Sequence, residues 1–219
     1  SYRRALSIKP SFSPARNDLI GMLVADGAYL AAIRVYHDAI DRWPGETRWS
    51  MALARLLIDR DRPTEALDVL REMSDAVPHF TAGKALLGLT LLKFKRSDEA
   101  VAALREAVEL DPEVYESRYN LGLALVDARD LTGAIEHLTE ATRLDPDAFL
   151  ARYNLAVTLF MAARPQDALP NIRQAIQLKP DSALAYGFLS VVLTELGDEP
   201  AAAEAKEAAV KLAAPAEGR

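Results

Sequence analysis

The sequence predicts an all-α solenoid of stacked helix pairs, and three periodic columns of residues predict it. Pro10, Pro44, Pro78, Pro112, Pro146 and Pro180 each lie 34 residues after the one before. Leucines keep the same register at Leu19, Leu53, Leu87, Leu121, Leu155 and Leu189, and again four residues later at Leu23, Leu57, Leu91, Leu125, Leu159 and Leu193. A column of small residues follows at Ala32, Ala66, Ala100, Ala134, Ala168 and Ala202, and seven residues further on come Ala39, Met73, Ala107, Ala141, Ala175 and Ala209.

Each column fixes one part of a unit. Leucines four apart lie one turn apart on one helix face. Alanines seven apart lie two turns apart on one face of a second helix, and their small size lets helix axes approach closely. A break separates the two helices at Ala25-Asp26-Gly27, Ala128-Arg129-Asp130 and Leu196-Gly197-Asp198. Pro63, Pro165 and Pro200 sit in the first turn of the second helix, where proline is tolerated. The periodic proline then ends that helix. The register predicts a half-unit helix over 2–8 and pairs over 14–26/29–42, 47–60/63–76, 81–94/97–110, 115–128/131–144, 149–162/165–178 and 183–196/199–212. The units are 11–44, 45–78, 79–112, 113–146, 147–180 and 181–214, after a half-unit over 1–10. Residues 213–219 read as a flexible tail. Pro170, inside the second helix of the fifth unit, is expected to bend it.

Composition bounds the function. The chain has 219 residues, a net charge of −6 and no cysteine. Disulfides, thiolate metal sites and cysteine nucleophiles are excluded. Residues 1–78 carry 11 basic and 11 acidic side chains, and the remainder carries 15 and 21. An acidic chain lacks the electrostatic footprint of a nucleic-acid binder. No apolar run approaches the length of a membrane span. His37, His79 and His137 have no metal-ligand spacing around them, and no glycine-rich phosphate loop or nucleophile–base arrangement appears. The reading is therefore of a non-enzyme without metal or cofactor, in a soluble chain whose compartment the residues leave open, the cytoplasm being favoured over the periplasm.

The 34-residue unit resembles the tetratricopeptide repeat family. Tyr119-Asn120-Leu121-Gly122 followed by Ala134, Ala141 and Asp145-Pro146 is similar to its consensus, as is Tyr153-Asn154-Leu155-Ala156 followed by Ala168, Ala175 and Pro180. The resemblance covers residues 11–214. It implies a right-handed superhelix whose first helices line a concave groove that holds a peptide or helix of a partner protein. The chain departs from the family three residues before the first leucine, where an aromatic is common and Arg16, Ser50, Lys84, Arg118, Arg152 and Tyr186 stand. The long basic side chains there are expected to pack their stems while their heads reach water. The lysines that other members use to clamp a terminal carboxylate are missing, since those positions hold Asn17, Met51, Ala85, Tyr119, Tyr153 and Gly187.

Counting around the first helices places Tyr119, Asn120, Leu123, Tyr153, Asn154, Val157, Phe160 and Phe188 on the partner-facing stripe. Exposed apolar and aromatic stripes mark interaction sites. Asn120 and Asn154 share one register position and resemble two rungs of the asparagine ladder in the repeats of O-linked N-acetylglucosamine transferases, where an amide pairs with a peptide backbone. Arg48 and Arg55, two turns apart in the second unit, are candidates to hold an acidic group, against an exposed Arg55–Asp59 ion pair. Two other functions stay open: self-assembly through an uncovered N-terminal face at Tyr2, Ala5 and Leu6, and service as the substrate-selecting segment of a larger enzyme such as a glycosyltransferase.

Overall fold

The structure, a computed structural model, describes residues 13–214. Those residues form twelve helices and no strand. The first repeat holds α1 (Ser13–Ala25) and α2 (Tyr29–Arg42), the second α3 (Thr47–Asp59) and α4 (Pro63–Ala76), the third α5 (Thr81–Lys93) and α6 (Ser97–Leu110). The fourth holds α7 (Tyr115–Asp127) and α8 (Leu131–Leu144), the fifth α9 (Phe149–Met161) and α10 (Pro165–Leu178), the sixth α11 (Ala183–Glu195) and α12 (Glu199–Ala213). Every boundary falls within one residue of the register expectation. The helix expected over 2–8, with Tyr2, Ala5 and Leu6, lies outside the described residues. The chain divides into two compact units between Thr90 and Leu91.

One turn, repeated six times, joins the helices of each pair. The N–H groups of Ala28, Arg62, Arg96, Asp130, Arg164 and Asp198 donate to the carbonyls of Leu23, Leu57, Leu91, Leu125, Leu159 and Leu193, at 2.8–3.0 Å. These long-reach bonds close a Schellman-type C-cap and satisfy a carbonyl that the helix end would leave orphaned. The second leucine column thus supplies both a core side chain and the cap acceptor. The geometry demands a left-handed residue one position before each donor. Gly27 (φ +74°) and Gly197 (φ +79°) meet it freely, whereas Asp61 (φ 54°), Lys95 (φ 60°), Arg129 (φ 66°) and Ala163 (φ 56°) meet it with a Cβ. A left-handed L-residue costs about 1–2 kcal/mol. Glycine gives back about 0.4–1 kcal/mol through the freer unfolded chain. Ala163→Gly is therefore expected to raise stability by about 0.5–1 kcal/mol, read as a higher denaturation midpoint with unchanged slope.

The core of the first unit collects Leu53, Ala54, Leu57, Ala66, Val69, Leu70 and Met73 around Ile33. That of the second collects Leu138, Leu155, Ala156, Leu159, Ala168, Ile172, Ala175, Ala185 and Val192. The alanine columns are the closest points of approach: Ala32, Ala66, Ala100, Ala134 and Ala168 are wholly buried. In α7, Gly122 serves the same end. A Cβ there would lie 2.6 Å from Leu138 Cγ.

The charged departures from the family pattern do more than reach water. Arg16 is 2 % exposed, and its guanidinium pairs with Asp38 at 3.1 Å and lies 4.6 Å from the centre of the Trp43 ring. The expectation that its head is solvated is corrected: α2 offers a carboxylate and Trp43 a ring within reach, and both hold it inside. Burial lowers its pKa, while Asp38 acts to raise it. Lys84 Nζ donates to Ser74 Oγ at 3.2 Å. Arg118 Nε donates to the Pro112 carbonyl at 3.0 Å and Arg152 Nε to that of Pro146 at 3.3 Å, six residues back in each case. Arg152 also reaches Gln174 Oε1 at 2.6 Å. These heads fasten the inter-repeat proline loop and the second helix to the start of the first.

Arg118 Nη1 lies 3.2 Å from His137 Nδ1. A guanidinium only donates, so Nδ1 accepts and the imidazole is neutral with its proton on Nε2. Burial lowers the pKa of His137, and the charge of Arg118 lowers it further. The unfolded chain therefore takes up a proton that the folded chain resists, and stability declines as pH falls below about 6.5. The midpoint of thermal unfolding should drop between neutral pH and pH about 5.5 more steeply in the parent than in His137→Gln. Equal slopes would show that the imidazole plays no part.

α10 runs unbroken through Pro170, which is exposed near its first turns. The ring denies the Gln166 carbonyl its helical partner, but Gln166 is itself exposed to solvent. The expected bend does not interrupt the helix.

Candidate functional site

On α7, α9 and α11 the same five register positions form three parallel strips. The strip of α9 is Leu150, Tyr153, Asn154, Val157 and Met161, with the spacing of a single helix face. Its counterparts are Glu116, Tyr119, Asn120, Leu123 and Asp127 on α7, and Leu184, Gly187, Phe188, Val191 and Glu195 on α11. The leucine columns point these helices' opposite faces into the core, which leaves the strips outward except at Asn120.

Aromatic contacts run from strip to strip. Tyr115 stacks on Tyr119 at 5.7 Å between ring centres, and Phe149 stacks on Tyr153 at 6.0 Å. Tyr153 meets Phe188 edge-on at 5.8 Å, and Phe188 meets Phe160 edge-on at 5.7 Å. Such pairs add about 0.5–1.5 kcal/mol beyond the area they bury. Asn154 Nδ2 donates to the Tyr119 hydroxyl at 2.8 Å. The residue pairs 119/154 and 153/188 occupy equivalent positions, so one diagonal link between neighbouring first helices is polar in the first case and aromatic in the second. Burial raises the pKa of Tyr119 and Tyr153. Tyr115 is pushed up to about 12 by burial first, then by Tyr119, Asp145 and Glu116. All three phenols stay protonated and able to donate at neutral pH.

The second unit therefore brings together Tyr119, Asn154, Tyr153, Phe160 and Phe188, with Leu123 and Val157 half-buried beside them. Asn120 departs from the expectation. It is 8 % exposed, below the surface rather than on it. The Asn154 bond has no counterpart there, because the register position of Tyr119 holds Ala85 one repeat earlier. The two asparagines are thus not equivalent rungs: one is buried, and the other already holds a phenol. In the second repeat, Arg48 pairs with Glu46 and lies 4.7 Å from the centre of the Trp49 ring, so this chain's own carboxylate occupies it. Arg55 is exposed, and no ion pair joins it to Asp59.

Sequence reasoning missed three parts of this surface. Tyr115 and Phe149 stand four residues before Tyr119 and Tyr153, a spacing that signals stacked rings on a helix. Leu150 and Leu184, 34 residues apart, are 54 % and 61 % exposed and are among the most open large apolar side chains described. Beside Phe160 lies a cleft of about 380 Å³ lined also by Met161, Ala163, Pro165, Gln166 and Glu195. Among the described residues, no helix is long and apolar enough to cross a membrane.

Comparison with known proteins agrees with this architecture. No protein of curated function matches the chain. Among solved structures, a crystal structure of a MamA protein superposes with a TM-score of 0.72 at 21 % identity, over 76 % of this chain and 91 % of that one. MamA 41-end from Desulfovibrio magneticus RS-1 gives 0.72 at 19 % identity, over 76 % and 94 %. YrrB, described as a TPR protein with an unusual peptide-binding site, gives 0.68 at 22 % identity, over 84 % and 95 %. At these identities the likeness is one of fold, the all-α tetratricopeptide solenoid. Tetratricopeptide repeat profiles match residues 23–89, 85–149, 119–167 and 153–217. With the 34-residue turn, cap and alanine columns behind them, these matches establish that the chain belongs to the tetratricopeptide repeat family.

Proposed function

We propose that the chain is a protein-interaction module that holds a peptide or helix of a partner along the strips of α7, α9 and α11, without catalysing a reaction. The observation that carries this is the coexistence of a pre-packed aromatic row with a rim of open apolar side chains. Leu150, Leu184 and Val191 are each about half exposed or more, at 54 %, 61 % and 47 %. The edge-on and stacked rings beneath them are already ordered, so a ligand that lies on them loses little protein entropy. YrrB, whose description names a peptide-binding site, shares the fold. Arg48 and Arg55 belong to the first compact unit and are no part of this reading.

The test starts from a peptide selected against the chain from a displayed library. Leu150→Ser with Leu184→Ser removes two open side chains at little cost to folding, within about 0.5 kcal/mol each for exposed positions. Affinity is expected to fall at least tenfold. Tyr119→Phe, which removes the acceptor of Asn154, measures whether that link orders the surface. A selected peptide bound as tightly by the double serine variant as by the parent sinks the assignment.

A further inference from the structure

The cleft at the end of the aromatic row has a chemical bias that the rest of the strip does not. Four of its walls, Phe160, Met161, Ala163 and Pro165, are apolar, Gln166 is a neutral amide, and Glu195 is the one charged member. Among the described residues, Glu195 has no hydrogen-bond or ion-pair partner. The nearest basic group in sequence on the turn, Arg164, is bound to Asp167 at 2.7 Å. Glu195 is also the last residue of α11, and no basic residue stands in that helix's final turn. A carboxylate added to the negative end of a helix dipole is doubly unfavourable and doubly attractive to a cation. Across the three strips the charged positions are Glu116, Asp127 and Glu195, with no base among them.

We propose that this cleft takes the lysine or arginine side chain of the partner segment, an inference that rests on the binding role of the strips. The aliphatic stem of such a side chain would lie on Phe160 and Met161 while its head reaches Glu195, the division that long basic side chains adopt at apolar surfaces. A neutral side chain in the same place would cover the carboxylate without pairing it, at a desolvation cost. The cation thus sets register and selectivity, and the apolar strip supplies most of the affinity. The pairing is solvent-accessible, so its selectivity is modest and falls with salt.

The probes are two blocked dipeptides, acetyl-leucyl-arginine amide and its neutral isostere acetyl-leucyl-citrulline amide. They are titrated into the full chain while the methyl resonances of Met161 and Ala163 are followed by NMR. The arginine dipeptide is expected to shift both methyls saturably, with an affinity about fivefold above that of the citrulline one, and Glu195→Gln is expected to erase the difference. Equal affinities for the two dipeptides, the absence of shifts from either, or a preference that survives Glu195→Gln overturns the assignment. A displayed peptide lost by Leu150→Ser/Leu184→Ser but held unchanged by Glu195→Gln removes the cleft assignment and leaves the interaction surface standing. A peptide held unchanged by both variants removes the surface itself.

Discussion

Gly122→Ala is expected to destabilise the second unit by about 1–3 kcal/mol, the usual range for overfilling a packed interior. Replacing a helix-interior glycine by alanine ordinarily stabilises by about 0.5–1 kcal/mol, so propensity predicts the opposite sign. Geometry decides. The new Cβ would meet Leu138 Cγ at 2.6 Å and Cδ2 at 2.9 Å. Leu138 is wholly buried at the centre of its cluster, and Cγ is too near the backbone to swing away. Leu138→Ala alone should cost about 2–5 kcal/mol by leaving a cavity. In that background Gly122→Ala meets nothing at Cγ and should become neutral or stabilising. A double-mutant cycle by urea denaturation would therefore show strong coupling. Additive effects would mean that α7 and α8 shift apart to accept the methyl, and the close approach would then be incidental.

Ala134→Leu is the companion expectation at the same helix pair. Ala134 lies one turn before Leu138 on α8 and is wholly buried. Three further carbon atoms must be accommodated where the axes are closest, at about 1–3 kcal/mol or more. Because a repeat contacts its neighbours, the loss should spread to the repeats on either side. Hydrogen exchange would resolve this as faster opening of α6 through α9. An unfolding midpoint unchanged by the substitution would show that the column is small by drift and not by need.

Much of this was legible in the sequence because one period governs the chain. Helix type, helix ends and the buried alanines follow from the 34-residue register alone, since a repeat that cannot bury its own face forces the same contacts on each copy. What the register conceals is what differs between copies. Arg16 and Arg118 occupy one column, yet the first is sealed beneath Trp43 and the second reaches His137, because the partner residues come from other columns. Asn120 and Asn154 share a column, yet only Asn154 finds a phenol, because that depends on the residue one repeat earlier. Tyr153 reads as an exposed anchor in one dimension, while Phe149 and Phe188 half-cover it in three. The cleft beside Glu195 draws on residues from α9, α10, α11 and the turn between α9 and α10, a set that no single periodic column contains.

The left-handed turn residues have a consequence for how such a chain can be adjusted. Asp61, Lys95, Arg129 and Ala163 lie in four separate turns, 34 residues apart in sequence. None of them occupies the strips on α7, α9 and α11. Sites without shared partners contribute additively, to within about 0.3–0.5 kcal/mol. Asp61 and Arg129 are accordingly independent dials: a glycine there tightens its own hairpin while leaving ligand-facing chemistry as it was, whereas Ala163 lines the cleft beside Glu195 and Lys95 pairs with Asp127 of the α7 strip. At those two turns robustness and specificity are carried by different residues, so the first can be altered there without rewriting the second.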